Sequence, residues 1–140
     1  MDGEAERRLW EIVEESEIVL LITDAEGYPR MRPMTTIAYE EDGTIWFATS
    51  KSSRKVEEIQ HNPRTTACFL TPEGGAHAQV FGTAEIVEDP DLKKELWDED
   101  WSEYWEGPED PDYVLLSLHG ARAEYYLMDE DELWVVEFAD

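Results

Sequence analysis

The sequence predicts a small antiparallel β-barrel with accessory helices, a mainly β fold in one domain spanning residues 1–140. Short β-branched and aromatic runs recur at regular spacing, separated by Gly, Pro, Asp and Asn turn signals. Helical periodicity is confined to a few insertions. At 140 residues, with 41% apolar residues and sixteen aromatics, the chain can fill a single core.

Each element follows from local pattern. Residues 3 to 15 read as a helix with Leu9, Trp10, Ile12 and Val13 on one face. Ile18 to Thr23 and Tyr28 to Tyr39 read as a β-hairpin joined by Asp24-Ala25-Glu26-Gly27. Pro33 cannot donate a ladder hydrogen bond, so that second strand should lie at an edge or be irregular near Arg32-Pro33-Met34. After the turn Glu40 to Gly43, Thr44 to Ala48 returns as a strand, and Ser53 to His61 forms a short helix stopped by Asn62-Pro63. Arg64 to Thr71 is a strand with Cys68 and Phe69 near the core, turned by Pro72-Glu73-Gly74-Gly75. Ala76 to Glu88 is a long strand in which Gly82 marks a bulge or a close approach. Asp89-Pro90 opens a helix through about Trp105, and Gly107 to Pro111 is a loop. The last strands are Tyr113 to Leu118, Ala121 to Met128 and Glu132 to Phe138, parted by His119-Gly120 and Asp129-Glu130-Asp131.

The formal net charge of −24 argues against DNA, RNA and anionic membranes as partners. It is also a composition that tolerates high salt, where screening shortens to about 3 Å at 1 M. No apolar run approaches the length of a membrane span, and the N-terminal segment is acidic and amphipathic rather than signal-like, so a cytoplasmic protein is expected. Cys68, the single cysteine, permits no disulfide framework within one chain, and reads as buried and inert. His61, His77 and His119 lack metal-ligand spacing, so no metal site is expected, and His119 before Gly120 reads as a turn residue.

The cations are unevenly placed. Residues 30 to 55 hold Arg30, Arg32, Lys51, Arg54 and Lys55 against only Glu40, Glu41 and Asp42, and no acid occurs from Gly43 to Val56. Within this island, Thr49, Ser50, Ser52 and Ser53 lead into a helix whose first turn carries Arg54 and Lys55. Cations there oppose the helix dipole, by a few tenths to about 1 kcal/mol each, unless an anion joins them. One reading is a phosphate cradle; the other is a capped helix whose cations lie in solvent or pair with Glu57 and Glu58. Arg30 and Arg32 alternate with Met31, so both point to one face of their strand. Leu92, Leu96, Trp97, Trp101, Tyr104 and Trp105 read first as a core stripe, with Trp105 the one to border a pocket. Tyr125, Tyr126 and Trp134 read as barrel and interface packing. No nucleophile elbow or triad pattern appears, so no catalytic residue is assigned and a cofactor must carry any difficult chemistry.

These residues resemble the FMN-binding split-barrel family related to pyridoxamine 5'-phosphate oxidase, and within it the general stress protein 26 branch. The likeness runs from the hairpin at Ile18 to the final strands. Arg30-Met31-Arg32-Pro33-Met34 corresponds to the strand that meets the flavin ring and phosphate, and Thr49, Ser53, Arg54 and Lys55 to the phosphate-binding pattern. Gln79-Val80-Phe81-Gly82 resembles a segment that reaches a flavin. With Thr35, Ser50 and Trp105 at their margins, Arg30 to Met34, Thr49, Ser53, Arg54, Lys55 and Gln79 form the candidate cofactor-binding set. The resemblance implies a split β-barrel, FMN as cofactor, and a homodimer with FMN at the interface. The activity it implies is that of an FMN-dependent oxidoreductase with an unidentified small redox substrate. The alternative is a non-catalytic flavin or deazaflavin binding or sensing module of the same fold. Pyridoxamine phosphate oxidation is not implied: Thr35 stands where the oxidases carry a lysine, and the chain ends at Ala139-Asp140 without their arginine-containing motif.

Overall fold

The computed structural model describes residues 3–138, so the expectation placed on Ala139-Asp140 lies outside the described residues. Helix α1 (Gly3–Glu15) is followed by β1 (Val19–Ala25), β2 (Tyr28–Met34), β3 (Ala38–Tyr39) and β4 (Thr44–Ser50). Then come α2 (Arg54–His61), β5 (Arg64–Leu70), β6 (Ala76–Val87), α3 (Pro90–Glu95), a 3-10 turn (Glu99–Glu103), β7 (Tyr113–Leu127) and β8 (Glu132–Glu137). All strands join one antiparallel sheet in the order β2-β1-β5-β6-β7-β4-β3, with β8 also paired to β7. Among the described residues no helix is long and apolar enough to cross a membrane.

The core forms where the period-2 pattern turns apolar residues inward. Val19 and Leu21 of β1, Ala67 and Phe69 of β5, Ala78 and Val80 of β6, and Leu116 and Leu118 of β7 are buried together with Leu9, Ile12 and Val13 of α1. The Tyr125 hydroxyl donates to the Ala5 carbonyl at 3.0 Å, pinning α1 to the sheet. The β1–β2 turn is two residues, Glu26 and Gly27, with φ of 57° and 83°, which is the twist that a tight hairpin needs. Pro33 pairs opposite Leu20 on the outermost strand, as expected for a residue without an N–H.

Several expectations change. The second strand stays regular through Met34 and breaks only at residues 35–37, so the irregular backbone lies beyond Pro33. Cys68 is half-buried rather than core, because the alternation that buries Ala67 and Phe69 turns it to the outer face. The helix expected through Trp105 ends at Glu95; Asp98 accepts from the Asp100 N–H and starts a 3-10 turn instead. Short carboxylate side chains compete for nearby backbone N–H groups, and the acids from Asp98 to Glu103 would crowd the negative end of a longer helix.

His119-Gly120 is not a turn, and His119 is a strand residue. β7 runs unbroken through both, His119 pairing with Thr44 on one side and Thr83 on the other. The register slips between Phe81 and Gly82, leaving Ala121 as the extra residue of a bulge. A Cβ on Gly82 would sit 2.0 Å from the His119 carbonyl oxygen, so the close approach predicted for Gly82 is real.

Candidate functional site

The edge position of β2 and the packing of α2 across β1 and β6 bring two sequence-distant cation pairs together. Arg30, Arg32, Arg54 and Lys55 share a cavity of about 460 Å³ with Met31 and Glu58. Lys51, the fifth cation of the island, turns away and pairs with Glu88 at 3.2 Å.

Within the cavity the cations differ in kind. Arg32 is anchored: Nη1 lies 3.1 Å from the Leu21 carbonyl oxygen, 3.0 Å from Thr23 Oγ1 and 3.0 Å from the Arg30 carbonyl oxygen. Its Nη2 donates to Glu58 Oε1 at 2.8 Å. Glu58 also accepts from the buried Thr23 hydroxyl at 2.6 Å, and its Oε2 lies 3.1 Å from Arg54 Nε and 3.8 Å from Arg30 Nε. Burial raises the Glu58 pKa, but the Thr23 and Arg32 hydrogen bonds and the Arg32 and Arg54 charges outweigh it and leave the group below its ordinary value.

Lys55 has no carboxylate partner. Its Nζ donates to Thr49 Oγ1 at 2.9 Å and makes no ion pair among the described residues. Burial, and then the Arg32 charge, press its pKa down, with Glu58 acting weakly the other way. Ser53 occupies the N-cap of α2, yet it caps nothing with its side chain, and its buried Oγ has no hydrogen-bond partner. Arg30 Nε is likewise buried without a hydrogen bond. Thr49 and Ser50 prove to be the end of β4 rather than loop residues.

That strand end serves two cavities. Thr49 meets Lys55, while Ser50 Oγ accepts from Trp105 Nε1 at 3.1 Å. Beyond Trp105 lies a cleft of about 850 Å³ lined by residues 33–37, Ala48, and the α3 to 3-10 segment with Trp97, Trp101, Tyr104 and Trp105. The tryptophans pack on buried Tyr113 to form a second small core, so the aromatic stripe is core on one side and cleft wall on the other. Asp98 and Glu99 also line this cleft, and the Thr36 hydroxyl, buried there, has no partner. Pro33, Met34, Thr35 and Trp105 therefore fall in the aromatic cleft, and Arg30, Met31, Arg32, Arg54 and Lys55 in the cation pocket.

Gln79 reaches neither. It lies exposed on the outer face of the sheet, beside Cys68, in a separate hollow of about 590 Å³ with Ile18, Leu20, Leu70 and His77. Ser117, His119 and Glu85 look like a relay, but both contacts, at 3.3 Å each, use the same His119 Nε2, which cannot pass a proton between them. Sequence reading treats Glu58 only as a surface counter-ion and gives Thr23 no role. The usable signal is only that Glu58 sits four residues after Arg54, on the same face of α2, and next to the buried Ile59.

Comparison with known proteins gives the family of the chain. The pyridoxamine 5'-phosphate oxidase like family matches residues 4–138. General stress protein 26 of Bacillus subtilis is 29% identical over 116 residues, covering 80% of this chain and 81% of the relative. A crystal structure of a general stress protein 26-related protein from Clostridium acetobutylicum superposes with a TM-score of 0.83 at 28% identity, covering 98% of this chain and 96% of that one. A pyridoxamine 5'-phosphate oxidase-related, FMN-binding protein of Nostoc punctiforme shares the fold, with a TM-score of 0.70, 16% identity, and coverage of 99% and 94%. Fold, span and sequence together place this chain in the pyridoxamine 5'-phosphate oxidase like family, alongside the general stress protein 26 relatives.

Proposed function

We propose that the chain is an FMN-binding flavoprotein acting as an FMN-dependent oxidoreductase on a small redox partner. The observation that carries this reading is the unbalanced half of the cation pocket. Among the described residues Lys55 is half-buried without a counter-ion, and near it in sequence stand the unpartnered Ser53 Oγ and the first N–H groups of α2, which Ser53 does not cap and which have no partner within a helix. A phosphate supplies what these groups lack: acceptors for the N–H and O–H donors and charge for Lys55 and Arg54. The aromatic cleft follows this pocket along the chain, residues 33–37 lining the cleft and 30–32 the pocket, so a flat ring tethered to the phosphate has a seat against Pro33, Met34, Thr35 and Trp105. The residues present fit FMN, which when bound supplies the electron-transfer chemistry.

The chain's own residues bind and shield. Arg54, Lys55 and Ser53 hold the phosphate end, Arg30 and Arg32 set the second wall, and Trp97, Trp101 and Trp105 exclude water from the ring. No side chain in either cavity is assigned proton transfer. Thr35, in place of the oxidases' lysine, speaks against pyridoxamine phosphate as substrate.

A homodimer fits the outer face of the sheet. Paired residues of antiparallel strands share a face, so Leu20, Cys68 and Gln79 form one row, and Ile22, Thr66 and Phe81 the next. Ile18 and Leu70 at this face are 61% and 58% exposed, a large apolar exposure for a lone domain. Gln79 lies within that face, which makes it a candidate contributor to the flavin site of the other protomer.

Titration with FMN, followed by its visible spectrum, tests the reading. Wild type is expected to bind, and the Arg54→Ala, Lys55→Ala double variant to lose about ten- to hundredfold in affinity per contact. No flavin binding by wild type would sink it. A bound flavin that neither NADH nor NADPH reduces, and that passes electrons to no acceptor, would favour a storage or sensing module; a deazaflavin competitor in the same titration separates the two coenzymes.

A further inference from the structure

The anion pocket contains a buried carboxylate, which is the wrong charge for an anion site. Four cations line that cavity, and Glu58 sits among three of them with its side chain only 7% exposed. If it served merely as the i+4 surface partner of Arg54, it would project into solvent as Glu11 does beside Arg7, where the acid is 53% exposed. Instead Glu58 reaches inward to Thr23 of β1 and Arg32 of β2.

We propose that Glu58 is the positioning residue of the phosphate pocket: its carboxylate locks Arg32, and draws Arg54 and Arg30, into one preassembled cationic wall. The inference rests on the phosphate reading of that pocket. Three guanidinium groups brought this close repel one another, and without a shared counter-ion they would splay into solvent before any ligand arrived. Arg32 and Thr23 satisfy Oε1, while Oε2 faces Arg54 and Arg30 without completing a hydrogen bond. The carboxylate therefore gathers the arginines without consuming their remaining donors. Lys55 faces Thr49 and makes no ion pair among the described residues, so the uncompensated charge is concentrated on one side, where the ligand phosphate would lie.

This arrangement makes a counterintuitive prediction. By net charge alone, Glu58→Gln should tighten anion binding, because it removes a negative group from the site. By positioning, it should weaken FMN binding about tenfold or more, as expected when a preorganised charged hydrogen-bond network is released. Riboflavin, which has the ring but no phosphate, should bind wild type and Glu58→Gln alike. Glu58→Asp, which keeps the charge, should recover part of the FMN affinity. Equal or tighter FMN binding by Glu58→Gln overturns the proposal, as does a parallel loss of FMN and riboflavin, which would mean general damage.

Inorganic phosphate, titrated by calorimetry into the same proteins, separates this inference from the flavin reading. Phosphate bound by wild type and weakened in Glu58→Gln, with no FMN binding by either, would remove the flavin and keep the positioning role. Wild type that binds neither phosphate nor FMN overturns both.

Discussion

Glu58 shows how one residue type can mean opposite things in one chain. Most of the 35 acids spread charge over the surface, whereas this carboxylate is held inside by Thr23 and Arg32. Its folded-state pKa is lowered from 4.5, so the stabilisation that it gives is complete above that value and fades as pH falls through the lower folded one. Glu58→Gln should cost about 1.5–3 kcal/mol at neutral pH, the scale of a hydrogen bond to a charged group. Melting temperatures of wild type and variant should then converge on acidification below pH 4.5. A gap that stays constant down to pH 3 would show that the charge contributes nothing to stability. Lys55 works with the other sign: its pKa is lowered from 10.5, so its burial costs stability while it is charged, and phosphate bound beside it would favour the charged form.

At the scale of elements, the sheet gives its two faces different tasks. Inward residues make the core, while the outer rows from β1 to β6 carry Leu20, Ile22, Cys68, Leu70 and Phe81. Leu70→Glu puts a charge in this face without touching the core, the cation pocket or the aromatic cleft, and should turn the proposed dimer into a monomer with an unchanged fold. Sedimentation velocity with circular dichroism reads both. A wild type that already sediments as a monomer refutes the assembly. The same alternation explains what could be read in advance. The apolar face of α1, the Glu26-Gly27 turn, the edge at Pro33 and the close approach at Gly82 all depend on local residue chemistry, which is visible in order along the chain. So does the pairing of Arg54 and Lys55 with the start of α2. The burial of Glu58 does not, because it depends on β1 and β2 carrying Thr23 and Arg32 over α2. The unbroken course of β7 was hidden for a related reason: His119-Gly120 carries turn chemistry, and only the flanking β4 and β6 hold it extended. The 3-10 break after α3 was legible in principle, since Asp98 is a strong local cap, but the aromatic spacing on either side masked it.

For the whole molecule, the −24 charge sets the conditions under which the fold is best held together. Between Glu88 and Asp112 twelve acids face only Lys93 and Lys94, and this segment packs beside the aromatic cleft. Repulsion of this kind is screened by salt, so raising KCl from about 0.1 M to about 2 M should stabilise the fold by about 1–2 kcal/mol, or roughly 3–8 °C in Tm. A Tm that falls over that range would show that attractive ion pairs, not repulsion, dominate the surface. β7 has a consequence of a different kind. It is the strand that joins β4 to β6, so until it is made the chain holds two unlinked pieces: β2-β1-β5-β6 on one side and β4-β3 on the other. On the ribosome, everything before Tyr113 must wait with open strand edges, and the last fifth of the chain to emerge decides when that exposure ends.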